Sequence, residues 1–422
     1  MNVFRIQGGR PLSGSVRVQG AKNSVLPILA ATLLSTGTCV LRRCPRLTDV
    51  DHTLDILRHL GCKVEREGET VTVDASAPSG WEVPDSLMRE MRSSVVFLGP
   101  ILGRMGQAEL TYPGGCELGP RPIDLHLSAL RALGADIQEK NGRLCCKGKL
   151  RGADITLSLA SVGATENAML AAVAAEGTTT ITNAAREPEI VDLQEFLCAL
   201  GAKVRGAGSS VIVIEGGVPL HGGEHTVLAD RIVAATYLSA VACAGGEGEI
   251  DGVDWRQLST VTAVLTEAGC GVKSTGHSIF IRAPERLRAV RPSRTAPYPG
   301  FPTDAQAVVM AALCKGSGAT VFAENMFDSR YRHVDELSRM GADIRVEGRV
   351  AVVCGVPRLF GARVRAADLR GGAALVVAGL GAEGETTVSG VRHILRGYAD
   401  LAGDLTALGA KISLEEEIVT ES

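Results

Sequence analysis

Aromatic side chains are scarce in this sequence of 422 residues, which contains 8 Phe, 5 Tyr and 2 Trp. Proteins that bind single-stranded nucleic acid stack the bases on aromatic rings, and this chain has few rings to offer. Its formal net charge of -3 provides no excess of cations to attract a nucleic-acid backbone or an anionic membrane. These shortages predict no nucleic-acid partner and no membrane partner.

Metal-binding patterns are missing as well. The 11 cysteines include no Cys-x-x-Cys pair and no Cys/His spacing typical of a metal site, so we predict no metal and no cofactor. An odd number of cysteines without a pairing framework is typical of a reducing cytoplasm. Five cysteines lie in apolar stretches and are expected in the core: Cys39, Cys198, Cys243, Cys314 and Cys354.

We expect neither a signal peptide nor a membrane span. Residues 1–5 lead into no apolar segment of the kind that a signal peptide needs. Residues 24–41 carry no charge, but Pro27 and the polar run 35–38 divide them into a short helix and a strand. The predicted location is therefore the cytoplasm.

A short motif recurs six times, beginning with Leu60-Gly61-Cys62-Lys63-Val64. The copies start 67 to 73 residues apart, at Leu60, Leu133, Leu200, Ala268, Met340 and Leu408. Such regular spacing indicates a duplicated structural unit. In each copy the glycine follows an amphipathic helix, where it can supply the left-handed residue that ends the helix, and two strands are predicted after it.

Each repeat also contains a second helix that is apolar on all sides, and such a helix is predicted to be buried. These helices are predicted to start near Asn23, Ser93, Thr165, Arg231, Asp304 and Arg370. Three repeats can enclose three buried helices with sheets. Six repeats therefore predict two α/β domains with a break near residue 230.

Polar residues cluster at the predicted starts of the buried helices. Helix N-termini carry unpaired N–H groups and bind anions. Lys22, Arg92 and Arg370 are unusual there, because a cation opposes the helix dipole unless an anion offsets it. Each of the other polar residues, taken alone, is equally consistent with an ordinary N-cap.

Residues 113–126 combine one thiol with several glycines and prolines. Cys116 follows two glycines, and Arg121 lies between two prolines shortly before a helix predicted to begin at Asp124. We expect such a loop to move, and Arg121 to attract an anionic ligand and favour the thiolate. The segment is equally consistent with a surface turn that carries an incidental cysteine. His126 is predicted to be a structural hydrogen-bonding group, and His333 a surface-helix residue.

Seven segments resemble, in order, the UDP-N-acetylglucosamine 1-carboxyvinyltransferases, a family of enolpyruvyl transferases. The resemblance extends from about residue 5 to residue 412, and its segments are Gly20–Asn23, Pro113–His126, Ser161–Asn167, Arg186–Asp192, Gly300–Asp304, Asp368–Arg370 and Arg396–Tyr398. It implies two inside-out α/β domains built from six βαβαββ-like repeats, with the active site in the inter-domain cleft. The implied domains are 22–229, with the UDP-sugar site and the thiol loop, and 1–21 with 230–422.

Members of this family transfer the enolpyruvyl group of phosphoenolpyruvate to the 3′-hydroxyl of UDP-N-acetylglucosamine and release phosphate. The reaction proceeds by addition and then elimination, and it is the first committed step of peptidoglycan synthesis. The resemblance implies that Cys116 is the general acid, can hold a covalent phosphoenolpyruvate adduct, and reacts with the epoxide antibiotic fosfomycin. It implies that Asp304 is the base at the sugar hydroxyl.

The remaining implied site residues bind the two substrates. Lys22, Asn23, Arg121, Arg370 and Arg396 would hold phosphoenolpyruvate, and Lys22 and Arg396 would also take part in catalysis. The implied contacts to the UDP-sugar are Arg92, Arg121, Pro122, Ile123, Asp124, Leu125, Ser161, Val162, Gly163, Asp304 and Met326.

A few positions depart from the family, and other functions remain open. Ala160 stands where some members have lysine, and Glu117 and Pro120 are unusual in the thiol loop. The first alternative is the sister transferase that acts on shikimate 3-phosphate, which shares the six-fold architecture but not the Gly-Gly-Cys loop. The others are a non-catalytic clamp around a polymer and a paralogue of low activity.

Overall fold

The computed structural model describes residues 2–112 and 123–417. Within these residues the chain forms two compact units, one of residues 20–112 and 123–228, the other of residues 2–19 and 229–417. The resemblance implied boundaries at residues 22 and 229 for the first of these units. Cys116, Arg121 and Pro122 lie outside the described residues.

Each unit contains three four-stranded sheets, and all six sheets share one topology. The first strand is parallel to the second, and the second, third and fourth strands are antiparallel to their neighbours. In this order, the sheets of the first unit are Gly223–Thr226, Thr38–Arg42, Thr70–Asp74 and Lys63–Glu67; Glu82–Val83, Gln107–Thr111, Arg143–Lys147 and Asp136–Lys140; and Asp154–Thr156, Gly177–Thr182, Val211–Gly216 and Lys203–Arg205.

The second unit has the same arrangement of three sheets, and two of its strands come from the start of the chain. Its sheets are Leu12–Arg17, Gly246–Asp251, Ser278–Arg282 and Gly271–Thr275; Ser293–Arg294, Ala319–Ala323, Val350–Cys354 and Asp343–Glu347; and Arg363–Arg365, Glu385–Ser389, Asn2–Gln7 and Lys411–Glu416. The strand Asn2–Gln7 occupies the third position of its sheet, which in the other five sheets belongs to the second strand of a hairpin, and it pairs with strands on both sides. This pairing explains why the first residues of the chain belong to the second unit. A further parallel pair joins Leu287–Arg288 to Gly316–Ser317.

A central helix from each repeat is enclosed by these sheets. The central helices are Lys22–Ala31, Leu98–Met105, Val162–Ala174, Arg231–Ala244, Thr303–Cys314 and Leu369–Gly381. Every residue of Arg231–Ala244 is buried, and the three central helices of the second unit pack directly on one another. The predicted buried helices are confirmed, and five of their six starts lie within three residues of the prediction, whereas the second α-helix begins at Leu98, five residues after Ser93. The second helix is preceded by a 3-10 helix, Arg92–Phe97.

The amphipathic helices lie at the surface, and each ends at the repeated glycine. They are Thr48–His59, Asp124–Ala132, Pro188–Ala199, Ser259–Glu267, Val334–Arg339 and Leu401–Ala407. The repeated glycines have φ between 88° and 106°, a left-handed conformation that costs glycine little and ends the helix. The remaining short helices are Thr32–Leu34, Asp85–Glu90, Trp255–Leu258 and Val391–Ile394.

Two predictions about single side chains were wrong. Cys198 is exposed, because it lies on the solvent side of the amphipathic helix Pro188–Ala199. His333 is buried and packs against the backbone at Gly371. Cys39, Cys243 and Cys314 are buried as expected, and Cys354 is partly exposed. Among the described residues, no helix is long and apolar enough to cross a membrane.

His126 is held by a hydrogen-bond network that joins its own helix to the central helices Leu98–Met105 and Val162–Ala174 of the first unit. The Asn167 amide nitrogen donates to the carbonyl of Val95 at 2.8 Å and to Nδ1 of His126 at 2.9 Å, and its oxygen accepts from the Gly99 N–H at 2.7 Å. These bonds fix the amide orientation and leave the imidazole proton on Nε2. The predicted structural role of His126 is confirmed. Burial, and then the charge of Arg92, lower its pKa to about 4.

This network predicts a loss of stability in mild acid. As pH falls from 6.5 towards 4, the unfolded chain protonates this imidazole while the folded protein keeps it neutral. We expect the free energy of unfolding to fall by roughly 3 kcal/mol over this range through His126 alone. Urea denaturation at several pH values should show a shallower pH dependence for His126→Gln than for the parent.

The exposed His277 provides a matched control for this measurement. His277→Gln should leave the slope unchanged, because it replaces an exposed imidazole that takes no part in the hydrogen-bond network of His126. Equal slopes in His126→Gln and the parent would contradict the assignment. Burial also lowers the pKa of His333 to about 4, so part of the slope should remain in the His126 variant.

Candidate functional site

In the first unit, Lys22 begins its central helix beside a carboxylate. Its Nζ lies 2.5 Å from Oδ2 of Asp49, and the two side chains are 11% and 2% exposed. Asp49 comes from the first turn of the surface helix Thr48–His59. The ion pair offsets the unfavourable placement of a lysine at a helix N-terminus. The anion inferred from the sequence is thus supplied, at this position, by the protein itself. Asn23, next to Lys22, is exposed.

Asp192 joins this helix start to the end of the unit. Its Oδ2 accepts a hydrogen bond from the Ser24 hydroxyl and another from the Leu228 N–H at 3.2 Å, and its Oδ1 accepts from Nε2 of His225 at 2.8 Å. Asp192 is the last residue of the segment 186–192 in which the resemblance was found. Its role here is to hold three separate parts of the chain in place.

Several segments assigned to the UDP-sugar meet around His126. Gly163 lies against the imidazole, since a Cβ at this position would be 2.9 Å from Cε1 of His126. Arg92, half-buried at the start of its 3-10 helix, is close enough to lower the pKa of the ring. Asp124 is exposed and Leu125 half-buried on the helix that carries His126.

The neighbouring positions have local roles as well. The Ser161 hydroxyl accepts from the Ala164 N–H at 3.4 Å, which makes Ser161 an N-cap of the helix Val162–Ala174. Val162 and Gly163 are half-buried beside it, and Ile123 is buried. The ordinary capping interpretation of the polar helix starts therefore applies to Ser161. It also applies to Asp230 and Asp368 in the second unit.

In the second unit, Asp304 lies between two buried arginines. Its Oδ1 is 2.5 Å from Nη2 of Arg330, and its Oδ2 is 3.0 Å from Nη2 of Arg370. Asp304 is 26% exposed, whereas the arginine side chains are 2% and 4% exposed. The N-cap residue of this helix is Pro302, so Asp304 lies in the first turn of the helix and not at the capping position.

Arg370 has a hydrogen-bond donor that the described residues leave unused. Burial opposes its charge, but the carboxylate of Asp304 raises the pKa of the guanidinium above its usual value. Its buried Nη1 has no hydrogen-bond partner in the part of the chain that the structure describes. A buried cationic donor left unsatisfied costs free energy, and an anionic ligand could satisfy it. Arg330 also donates to the carbonyl of Thr303, at 3.1 Å from Nη2.

Met326 and Arg396 lie on turns of the same unit. Both are half-buried. The turn of Arg396 is held by Gln19, whose Nε2 donates to the Gly397 carbonyl at 3.1 Å and whose Oε1 accepts from the Ala399 N–H at 2.8 Å. The Tyr398 hydroxyl is 2.7 Å from Oγ1 of Thr236 in a central helix. The backbone directly after Arg396 is therefore anchored by Gln19 and Thr236.

The structure thus brings Asp304 and Arg370 into contact and gathers the segments of Arg92, Asp124 and Gly163. Sequence reasoning missed Arg330, Asp49 and the buried Glu324, because no spacing connects them with their partners. The one signal in the sequence that could have indicated such a partner is a carboxylate in the first turn of a helix, as at Asp49. Residues 2–112 and 123–417 contain no group of three or more side chains arranged to hold a metal ion.

Known proteins match this chain along nearly its whole length. The family model described as EPSP synthase (3-phosphoshikimate 1-carboxyvinyltransferase) matches residues 6–405. UDP-N-acetylglucosamine 1-carboxyvinyltransferase 2 of Caldanaerobacter subterraneus subsp. tengcongensis is 51% identical over 413 residues, which cover 98% of this chain and 99% of that protein. UDP-N-acetylglucosamine 1-carboxyvinyltransferase 1 of Symbiobacterium thermophilum is 50% identical, with 97% and 94% covered.

Solved structures show the same fold. The enolpyruvyl transferase NikO from Streptomyces tendae superposes with a TM-score of 0.88 at 27% identity, and 98% of each chain is covered. EPSP synthase from Acinetobacter baumannii has a TM-score of 0.75 at 20% identity, covering 99% of this chain and 100% of that one. The two-unit α/β architecture of six repeats is therefore the one that these transferases share. By its sequence and its fold, the chain belongs to the enolpyruvyl transferase family, together with the UDP-N-acetylglucosamine 1-carboxyvinyltransferases.

Proposed function

We propose that this enzyme transfers the enolpyruvyl group of phosphoenolpyruvate to the 3′-hydroxyl of UDP-N-acetylglucosamine and releases phosphate. The observation that carries the proposal is the identity of 47% to 51%, over nearly the full length, to four proteins named for this activity. The cluster of Asp304 with Arg330 and Arg370 supports it, because it combines a partly exposed carboxylate with buried cations.

The proposed chemistry balances over two steps. In the addition, Asp304 takes the proton of the sugar hydroxyl, the hydroxyl oxygen bonds to C2 of phosphoenolpyruvate, and Cys116 gives a proton to C3. In the elimination, C3 returns a proton to the Cys116 thiolate, phosphate leaves from C2 with the proton that Asp304 took up, and the double bond is restored. Phosphoenolpyruvate carries about three negative charges, so preorganised cations are needed to hold it and the tetrahedral intermediate. Lys22, Asn23, Arg121, Arg370 and Arg396 are proposed to serve this purpose.

The proposed set of contacts to the UDP-sugar is the one that the resemblance implies. Its members are Arg92, Arg121, Pro122, Ile123, Asp124, Leu125, Ser161, Val162, Gly163, Asp304 and Met326. We further propose that the reaction serves peptidoglycan synthesis, and hence cell-wall growth and division, in the cytoplasm.

An acceptor assay tests the proposed function. Shikimate 3-phosphate is the second candidate acceptor, because the matching family model carries the name of the enzyme that uses it. The EPSP synthase structures share only 20% to 21% identity with this chain, which supports a common fold and no more. We expect phosphate release from phosphoenolpyruvate with UDP-N-acetylglucosamine and none with shikimate 3-phosphate. The reverse pattern would replace the proposed acceptor, and release with neither would indicate an inactive paralogue.

Asp304→Asn tests the proposed base. Asparagine preserves the shape of the side chain but cannot accept the hydroxyl proton, so we expect kcat to fall by about 10²- to 10⁴-fold. Both arginines also lose their counter-charge, so a lower melting temperature is expected and does not by itself identify a base. Asp304→Glu is the matched control, since it keeps a carboxylate, and it should retain at least about tenfold more turnover than Asp304→Asn. Turnover of the Asn variant within about threefold of the parent would exclude Asp304 as the base.

Fosfomycin labelling tests the proposed thiol. Burial raises the pKa of seven other thiols, which disfavours their reactive thiolates: Cys39, Cys44, Cys62, Cys146, Cys243, Cys270 and Cys314. We expect peptide mass mapping to find the fosfomycin adduct on Cys116, and Cys116→Asp to keep activity because a carboxylic acid can also donate a proton.

The exposed Cys198 provides the control for this labelling. Cys198→Ser should be labelled as fast as the parent, and Cys116→Ser should not be labelled. An adduct on Cys198, or full turnover of Cys116→Ser at every pH, would rule out the proposed role of Cys116.

A further inference from the structure

A buried carboxylate, Glu324, lies directly after the strand Ala319–Ala323 of the second unit. The residue is fully buried. Its Oε1 accepts from the N–H groups of Met326 at 2.7 Å and Phe327 at 3.1 Å, and from the Thr295 hydroxyl at 3.1 Å. Its Oε2 accepts from the Thr303 hydroxyl at 2.9 Å. Both oxygens are therefore engaged.

The two oxygens of Glu324 connect two parts of the proposed site. Thr303 is the first residue of the central helix Thr303–Cys314, and Asp304 follows it directly. Met326 belongs to the turn that is assigned to the UDP-sugar. The Thr303 carbonyl also accepts from Arg330, so the residue before Asp304 is held at its side chain and at its backbone.

Stability alone gives little reason for a fully buried carboxyl group at this position. The hydrogen-bond partners of Glu324 among the described residues are hydroxyl and backbone N–H groups, none of them a cation. Burying a carboxylate without a counter-charge is costly, and four donors compensate for it only when all of them are in place. What the arrangement provides is a fixed geometry, since one rigid group sets both the helix start and the turn.

We propose that Glu324 is a positioning residue that holds the proposed base Asp304 and the Met326 turn in a single geometry. The inference rests on the proposed function, because it is the UDP-sugar that would contact both. Errors of about 1 Å in such placement lower turnover by about 10²-fold, even when they arise away from the reacting atoms. The effect of losing Glu324 should therefore be kinetic as well as structural.

The main comparison is between Glu324→Ala and Glu324→Gln. Alanine removes all four acceptor contacts, so kcat should fall by about 10²-fold and KM for UDP-N-acetylglucosamine should rise by about tenfold. Glutamine keeps an oxygen for the turn, and its NH2 group can donate to the Thr303 oxygen. It should therefore stay within about threefold of the parent in both constants. A Gln variant as impaired as the Ala variant would overturn the proposal.

Thr303→Val separates the two functions of the carboxylate. It removes only the bond to Oε2, so it should lower kcat by about tenfold and leave KM for the UDP-sugar within about threefold. Thr303→Ser keeps the hydroxyl and should match the parent. These variants decide the question even if Glu324→Ala does not fold, because equal turnover in the Val and Ser variants would contradict the proposal.

Asp404→Asn supplies the control for a purely structural effect. Asp404 accepts a hydrogen bond from the Tyr237 hydroxyl in the same unit and has no assigned part in binding or catalysis. It should lower the melting temperature without changing kcat or KM. Hydrogen exchange should become faster at residues 303–306 and 325–328 in Glu324→Ala, but not in Asp404→Asn.

The results of these experiments distinguish a failure of the proposed function from a failure of the proposed role of Glu324. If the parent releases no phosphate with UDP-N-acetylglucosamine, the proposed function fails and this inference fails with it. If the parent is active and Glu324→Ala differs from it only in melting temperature, as Asp404→Asn does, the role of Glu324 is overturned and the proposed function stands.

Discussion

The enclosure of six helices that are apolar on nearly every side is the constraint on which this structure depends. Each helix is covered along its length by sheets and by other helices, so its charged side chains are concentrated near its ends. The N-terminal end also carries unpaired N–H groups and partial positive charge. The residues that can do chemistry are therefore concentrated at the helix starts, as Lys22, Asp304 and Arg370 show.

The helix starts that carry Lys22 and Arg370 are not empty anion-binding sites, although the cations at these positions suggested that an external anion would bind there. Lys22 and Arg370 each already have a carboxylate partner, Asp49 and Asp304 respectively. The cations are nevertheless suited to receive a more highly charged ligand, because one carboxylate offsets only part of the positive potential of a cation and a helix terminus together. Arg370 can do so without losing Asp304, since its Nη1 donor is unused among the described residues.

Repetition made much of the fold predictable from the sequence. The six glycines and the six apolar stretches carry a signal that is local, so helix starts, helix ends and hairpins followed from them. The contacts of the site are not local. Asp304 meets Arg330 and Arg370 across 26 and 66 residues, and no periodic pattern connects them. The errors have the same origin: neighbouring residues indicated an exposed His333 and a buried Cys198, whereas packing against Gly371 buries the first and helix orientation exposes the second.

Each unit contains a buried carboxylate that accepts hydrogen bonds from the start of a central helix and from distant parts of its chain. Asp192 does this for the helix of Lys22, through Ser24, and Glu324 does it for the helix of Asp304, through Thr303. An apolar residue at either place would pack the core but would leave several donors unsatisfied and the helix start free to shift. A small error in a helix start moves every group attached to it, including the Lys22 cation or the Asp304 carboxylate. In a transferase whose chemistry depends on placing one hydroxyl against one trianion, burying such a carboxylate is a physically reasonable means of fixing that placement.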